Sequence, residues 1–173
     1  MTTNTYDDIK ESIAPELARL HEAIHHTLKS SSNPLLNTVV ESYLQSKGKL
    51  IRPILVILTA RLFGDVSDKV IASASAVEML HNASLIHDDV VDESKMRRGA
   101  PTINAVWDNH IAVLVGDFFE AGALSQAVST GDIRIVDSLT CLGRILSLGE
   151  LDQIYNARGH TPVSYTHLRA HET

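Results

Sequence analysis

The sequence predicts an all-α protein, and three observations carry that reading. Apolar residues recur at helical spacing along most of the chain, and Gly and Pro fall where helices start or stop. No stretch alternates apolar with polar residues as a half-buried strand would. Ile9, Ile13, Leu17, Leu20, Ile24 and Leu28 form the first stripe, kinked or begun at Pro15. Asn33-Pro34 supplies an N-cap and a first helical position for a second helix, running to about Lys47. Pro53 suits the first position of a third, entered through Gly48 to Arg52, extending to about Phe63 and stopped by Gly64. A long helix from about Lys69 to Glu93 follows; its Val70–Leu85 stretch is mostly Ala, Ser, Ile, Val and Leu, which predicts neighbours on several sides. Ile111 to Thr130 and Ile133 to Ala157 complete the set, separated at Gly131.

Composition narrows the function classes. A chain of 173 residues with 44% hydrophobic content can bury a single core. The net charge of −6, with no basic cluster, is the wrong electrostatic footprint for nucleic acid. Cys141 is the only cysteine, so no intramolecular disulfide forms and a reducing, cytoplasmic setting is expected. The N-terminal residues lack a basic-then-apolar signal pattern, and apolar runs such as Ile54 to Leu58 are too short for a transmembrane segment.

The chemistry concentrates in Leu85-Ile86-His87-Asp88-Asp89-Val90-Val91-Asp92. Three carboxylates there enter an otherwise apolar helix, and buried carboxylates are costly unless paired or bound to metal. Asp88 and Asp92 share a helix face at i,i+4, while Asp89 lies about 100° around the axis. Arg97, Arg98 and Gly99 follow shortly. Carboxylates suited to Mg²⁺ beside guanidiniums suited to phosphate oxygens make a diphosphate-plus-metal site. Alone, such a string also fits a solvated helix end.

A second anion site lies upstream. Lys49 and Arg52 flank a helix start, where the macrodipole disfavours cations unless an anion lies among them and the free backbone N–H groups. His81 stands two turns before Asp88 on nearly the same face, with Glu78 and Asn82 beside it as an alternative polar cluster. His21 and His25, an i,i+4 pair, read as an exposed helix face rather than a metal site, and His167 and His171 fall in a segment of doubtful origin.

Together these residues resemble the trans-isoprenyl diphosphate synthases, the polyprenyl synthetase family. The matching motifs are Gly48-Lys49-x-x-Arg52-Pro53, Glu78-x-x-His81, Ser84-Leu85-Ile86-His87-Asp88-Asp89-x-x-Asp92, Arg97-Arg98-Gly99, Pro101-Thr102, Val115-Gly116-Asp117-Phe118 and Gly149-Glu150-x-x-Gln153, in the family's order over about residues 35 to 158. The resemblance implies a helical bundle around a central cavity, usually a homodimer. It implies head-to-tail 1'-4 condensation of isopentenyl diphosphate with an allylic diphosphate to give a polyprenyl diphosphate. By it, Asp88 and Asp92 ligate Mg²⁺, Asp89 supports them and Arg97 holds the allylic diphosphate. Lys49, Arg52, His81 and Arg98 hold isopentenyl diphosphate, and Gln153 faces the cavity. Gly116 and Asp117 are given a packing role only. In the family a bulky residue four or five positions before the first Asp blocks the growing tail. Ala83 and Ser84 occupy those positions here, both small, so a medium-to-long product is expected, with Leu80 as another residue able to form the floor.

The resemblance implies an N-terminal half only. After Arg158 the family pattern stops, and its second Asp-rich helix with the preceding Lys-Thr element is missing. Residues 1–158 are therefore read as a truncated synthase domain and 159–173 as an artefact tail, with the last apolar helix faces left uncovered and the chain itself inactive. Two other readings compete: a non-catalytic regulatory subunit of a prenyl synthase, and an HD-type metal phosphohydrolase built on His81, His87-Asp88 and Asp92. A terpene cyclase would share the Asp-rich helix without needing Lys49, Arg52 and His81.

Overall fold

The computed structural model describes residues 5–29, 32–45 and 48–158. They form eight α-helices and one short hairpin, in the order α1 (Thr5–Ser12), α2 (Ala14–Leu28), α3 (Pro34–Leu44), α4 (Ile51–Arg61), α5 (Asp68–Val91), β1 (Met96–Arg97), β2 (Ala100–Pro101), α6 (Ile103–Val106), α7 (Asn109–Ser129) and α8 (Ile133–Arg158). The all-α expectation holds, and the antiparallel β1–β2 pair is an addition to it. Two-residue strands carry no readable alternation, which is why the sequence gives no sign of them.

The chain divides into two compact units, residues 1–139 and 140–173. In the first, α5 is the axis: it packs most extensively on α7 and also on α4 and α2. The N-terminal stripe does what its spacing requires. Ile13, Leu17, Leu20, Ile24 and Leu28 are all buried, and the chain breaks between α1 and α2 just ahead of Pro15. Asn33 caps α3, its Oδ1 accepting the Leu36 N–H at 3.0 Å. α5 buries residues on every side, from Ile71 and Ala74 through Met79 to Ile86, consistent with the mostly small and apolar composition of its Val70–Leu85 stretch. Phe119 on α7 is fully buried and meets Tyr43 of α3 edge-to-face at 5.5 Å.

Several boundaries differ from the sequence reading by two or three residues, and α6 is not foreseen. α4 starts at Ile51, ahead of Pro53, because Leu50 takes a left-handed conformation (φ 53°) that turns the chain into the helix. α3 ends at Leu44 rather than near Lys47, which lies outside the described residues. α7 is long and apolar enough to cross a bilayer, although no such segment is expected from the sequence; its Ala112, Val115, Phe119 and Ala123 are buried in the core.

The described part of the second unit is the remainder of α8. It carries Leu142, Ile145, Leu146, Leu148, Leu151 and Tyr155 as exposed apolar side chains, in line with the expected uncovered faces, and the exposed Cys141. The tail expected at 159–173 falls outside the described residues.

Candidate active site

The Asp-bearing end of α5 is held by a network of main-chain and side-chain bonds. The helix closes at Val91, and Asp92 still donates its N–H to the Asp88 carbonyl at 2.8 Å, so the two carboxylates stay one turn apart. Glu93 then adopts φ 51° and Ser94 donates back to the Asp89 carbonyl at 2.9 Å, a Schellman-type end made without glycine. Asn104, buried on α6, donates its amide to the carbonyls of Asp89 and Ser94, both at 3.1 Å. Thr102 Oγ1 adds a bond to the Ser94 carbonyl at 2.8 Å. Backbone carbonyls that a helix end leaves without partners are thereby satisfied.

The three carboxylates are not equivalent, as the offset of Asp89 by about 100° from Asp88 requires. Asp89 is buried, Asp88 half-buried and Asp92 exposed. Asp89 accepts a bond from Arg97 Nε at 2.8 Å. Burial raises the Asp89 pKa, and the Arg97 guanidinium pulls against that rise. Asp89 thus faces inward to an arginine, while Asp88 and Asp92 occupy the more open face.

The Arg97-Arg98-Gly99 motif proves to be a hairpin. Arg97 pairs with Ala100 across a two-residue loop, Arg98-Gly99, whose residues both have positive φ (51° and 79°), the combination of a type I′ turn. Gly99 adopts this freely; Arg98 does so at a cost of order 1 kcal/mol. The turn sends the two guanidiniums apart. Arg97 goes to Asp89, whereas Arg98 Nη1 lies 2.6 Å from where a Cβ would stand on Gly48.

Arg98 thereby joins the upstream cations. Arg52 Nη1 donates to His81 Nε2 at 2.9 Å, linking α4 to α5. Burial, reinforced by Arg52, Arg98 and Arg97, pushes the His81 pKa down to about 4, so the ring is neutral and accepts. Glu78 is buried one turn away, its pKa raised by burial and drawn back by Arg52, Arg98 and an Asn82 hydrogen bond. Tyr43 donates to Asn82 Oδ1 at 3.3 Å. Three sequence-predicted residues, Arg52, His81 and Arg98, therefore converge from α4, α5 and the hairpin, while Arg97 stays with Asp89. Lys49 is exposed just before α4. Gln153 is half-buried in the second unit, and the cluster is built from the first unit alone.

The residues expected to set product length separate by burial. Ala83 and Leu80 are buried in the core, while Ser84 is half-buried and donates to the His81 carbonyl at 2.9 Å. Gly116 and Asp117 do more than pack. The His87 ring lies directly over Gly116, where a Cβ would overlap it, and His87 Nε2 sits 3.3 Å from both Asp117 Oδ1 and the Val113 carbonyl. His87 is thus engaged with α7, an arrangement that gives no support to an HD-type pairing with Asp88. Among the described residues no group of three or more His, Cys, Asp or Glu side chains forms a ready metal cage.

A cavity of about 170 Å³ opens between α3, the end of α5, the hairpin and α6, lined by Tyr43, Asp89, Arg97, Arg98 and Trp107 among others. Sequence reasoning missed two supports of this region. Asn104 carries no helical or motif signal beyond following Pro101-Thr102, and Tyr43 reads as an ordinary helix residue.

Comparison with known proteins identifies the family. The family model described as "Polyprenyl synthetase" matches residues 33–172. An octaprenyl diphosphate synthase of Haemophilus influenzae is 37% identical over 150 residues, 87% of this chain and 45% of that protein. A protein of Bacillus subtilis named heptaprenyl diphosphate synthase component 2 is 39% identical over 140 residues, 80% of this chain and 40% of its own. The crystal structure of a polyprenyl synthase from Caulobacter crescentus, complexed with calcium and isoprenyl diphosphate, superposes with a TM-score of 0.85 at 30% identity, covering 96% of this chain and 50% of that one. The chain spans about half the length of the curated relatives it matches. With a family model matching residues 33–172 and an isoprenoid-synthase fold, it belongs to the polyprenyl synthetase family.

Proposed function

We propose that this chain carries the first metal site and the isopentenyl diphosphate site of a prenyltransferase making a medium-to-long polyprenyl diphosphate. The observation that carries the reading is the convergence of Arg52, His81 and Arg98, from three separate elements, into one cationic cluster beside an Asp-bearing helix end. Exposed guanidiniums gathered around a half-buried, neutral histidine suit a polyanion. A diphosphate matches the charge, and the names of the relatives point the same way.

Asp88 and Asp92 fit Mg²⁺ by their chemistry: two carboxylates one turn apart, one half-buried and one exposed, leave the remaining positions for phosphate oxygens and water. When bound, Mg²⁺ would offset charge on the allylic diphosphate and favour its departure. Arg97 orders the same helix end by holding Asp89. Arg52, Arg98 and Lys49 hold isopentenyl diphosphate by its phosphate oxygens, with its double bond toward the allylic carbon. The allylic C–O bond breaks, the isopentenyl C4 forms the new C–C bond, and a C2 proton leaves to the departing diphosphate. No side-chain nucleophile is required.

The proposal extends to a homodimer in the cytoplasm. The test is a prenyl-transfer assay on the intact gene product with labelled isopentenyl diphosphate, an allylic diphosphate and Mg²⁺. Extension that falls by orders of magnitude in both Asp88→Ala and Arg52→Ala supports the reading. Extension unaffected by either substitution overturns it.

A further inference from the structure

Asn104 is a buried amide that the reaction above does not use. It is 7% exposed and sits on α6, which rests against α7 and α5. Its Nδ2 donates to two main-chain carbonyls, those of Asp89 and Ser94, each at 3.1 Å. Two carbonyl oxygens around one atom fix which end of the amide faces α5, because Oδ1 in that place would repel both. This orientation leaves Oδ1 buried with no hydrogen-bond partner among the described residues. A buried acceptor without a partner is a cost, and the fold bears it to keep both N–H groups on the helix end.

The two carbonyls bracket Asp92. α5 ends at Val91, and Asp92 follows at φ −82° and ψ −2°, its N–H bonded to the Asp88 carbonyl at 2.8 Å. A last turn frays because its carbonyls have no partners inside the helix. Here the Asp89 carbonyl accepts from Asn104 and from the Ser94 N–H, the latter at 2.9 Å. The Ser94 carbonyl accepts from Asn104 and from Thr102 Oγ1, the latter at 2.8 Å. Thr102 is itself buried, and its N–H bonds the Lys95 carbonyl at 3.1 Å. One amide therefore staples both ends of the stretch 89–94 that carries Asp92. We propose that Asn104, with Thr102 behind it, is a positioning residue that keeps Asp92 one turn from Asp88, as a divalent cation shared by the two carboxylates requires. Without the staple the last turn is free to fray and the carboxylates lose their common face. Arg52 and His81, on α4 and further back along α5, keep their own contact. This inference rests on Asp88 and Asp92 forming the first metal site.

The experiment is titration of Mn²⁺ alone into the full chain, with free Mn²⁺ counted by electron paramagnetic resonance. It is run well below the melting temperature, so that only folded protein is read. Wild type is compared with Asn104→Leu, which keeps the volume and removes both donors, and with Thr102→Val and Asp88→Ala. Asn104→Leu is expected to weaken Mn²⁺ binding about tenfold, the low end of what losing a partner behind a metal ligand does. Thr102→Val should shift it the same way by less, because it removes a single bond to Ser94. A residue that only stabilises the fold would lower Tm and leave the affinity of the folded protein unchanged. Wild-type affinity in Asn104→Leu therefore overturns the proposal. If Asn104→Leu fails to fold, Thr102→Val decides: weaker Mn²⁺ binding supports the staple and unchanged binding overturns it. Asp88→Ala separates the two levels. Equal Mn²⁺ binding by that variant and wild type, including none by either, removes the metal-site reading and this inference together.

Discussion

Gly116→Ala is the most informative single substitution, because its sign should depend on one other residue. A Cβ on Gly116 would overlap the His87 ring, with Cε1 3.0 Å away and two other ring atoms closer. His87 would have to leave, giving up its contacts with the Val113 carbonyl and Asp117. Its side chain is 33% exposed, so it can swing toward solvent, which puts the overpacking penalty near the low end, at about 1–2 kcal/mol. Against that stands the helix-propensity gain of alanine over glycine inside α7, about 1 kcal/mol. The net effect in wild type is a loss of up to about 1 kcal/mol, or a fall in Tm of roughly 2–4 °C for a chain of this size. In a His87→Ala background the clash is absent and only the propensity gain remains, so Gly116→Ala should raise Tm by a few degrees. A double-mutant cycle read by urea and thermal melts then gives a coupling of about 1–2 kcal/mol. The same change in Tm in both backgrounds would refute the argument that His87 is what requires glycine here.

The other expected outcomes use the same measurements. Ala83 is buried in the core, so Ala83→Phe is expected to cost about 1–3 kcal/mol by overpacking, whereas half-buried Ser84→Phe should be better tolerated and shorten the product in the intact enzyme. An unchanged product profile for Ser84→Phe discards Ser84 as a chain-length determinant. His81 titrates near 6.5 when unfolded but is held down to about 4 in the fold, chiefly by burial. Between those values the unfolded chain binds the proton and the folded chain does not. Stability from neutral His81 is therefore complete above pH 6.5, falls as the pH drops toward 4, and is fully lost below it. Urea midpoints across that range should decline less steeply in His81→Asn; parallel curves for the two proteins contradict the assignment.

Much of the fold was legible because it follows from local chemistry. The Ile13–Leu28 stripe, the Asn33-Pro34 cap and the long apolar α5 each need only spacing or a capping oxygen. The pairing of Arg52 with His81 was within reach too, since both sit in short motifs whose residue types fit one chemistry. What escaped were elements whose evidence is tertiary. The hairpin rests on Arg98 accepting a positive φ, and the usual sequence signal for such a turn is Asn or Asp before the glycine. Asn104 and Tyr43 act through partners 10 to 39 residues away, a relation no local pattern records.

The sequence by itself determined the helices, their breaks and the residue types of the site, because helical period, proline, glycine and capping act over a few residues. Only the tertiary structure decided which aspartate turns inward. Apolar residues surround the α5 axis from Val70 to Ile86, so spacing alone marks no single buried face. It is the hairpin folding back that brings Arg97 onto Asp89 and leaves Asp88 and Asp92 on the open side. The same turn separates two adjacent arginines, sending Arg98 to Gly48 and into the cluster with Arg52 and His81. Adjacency in the chain says what can be charged; the fold says which charges meet, because a buried charge persists only where another element brings it a partner.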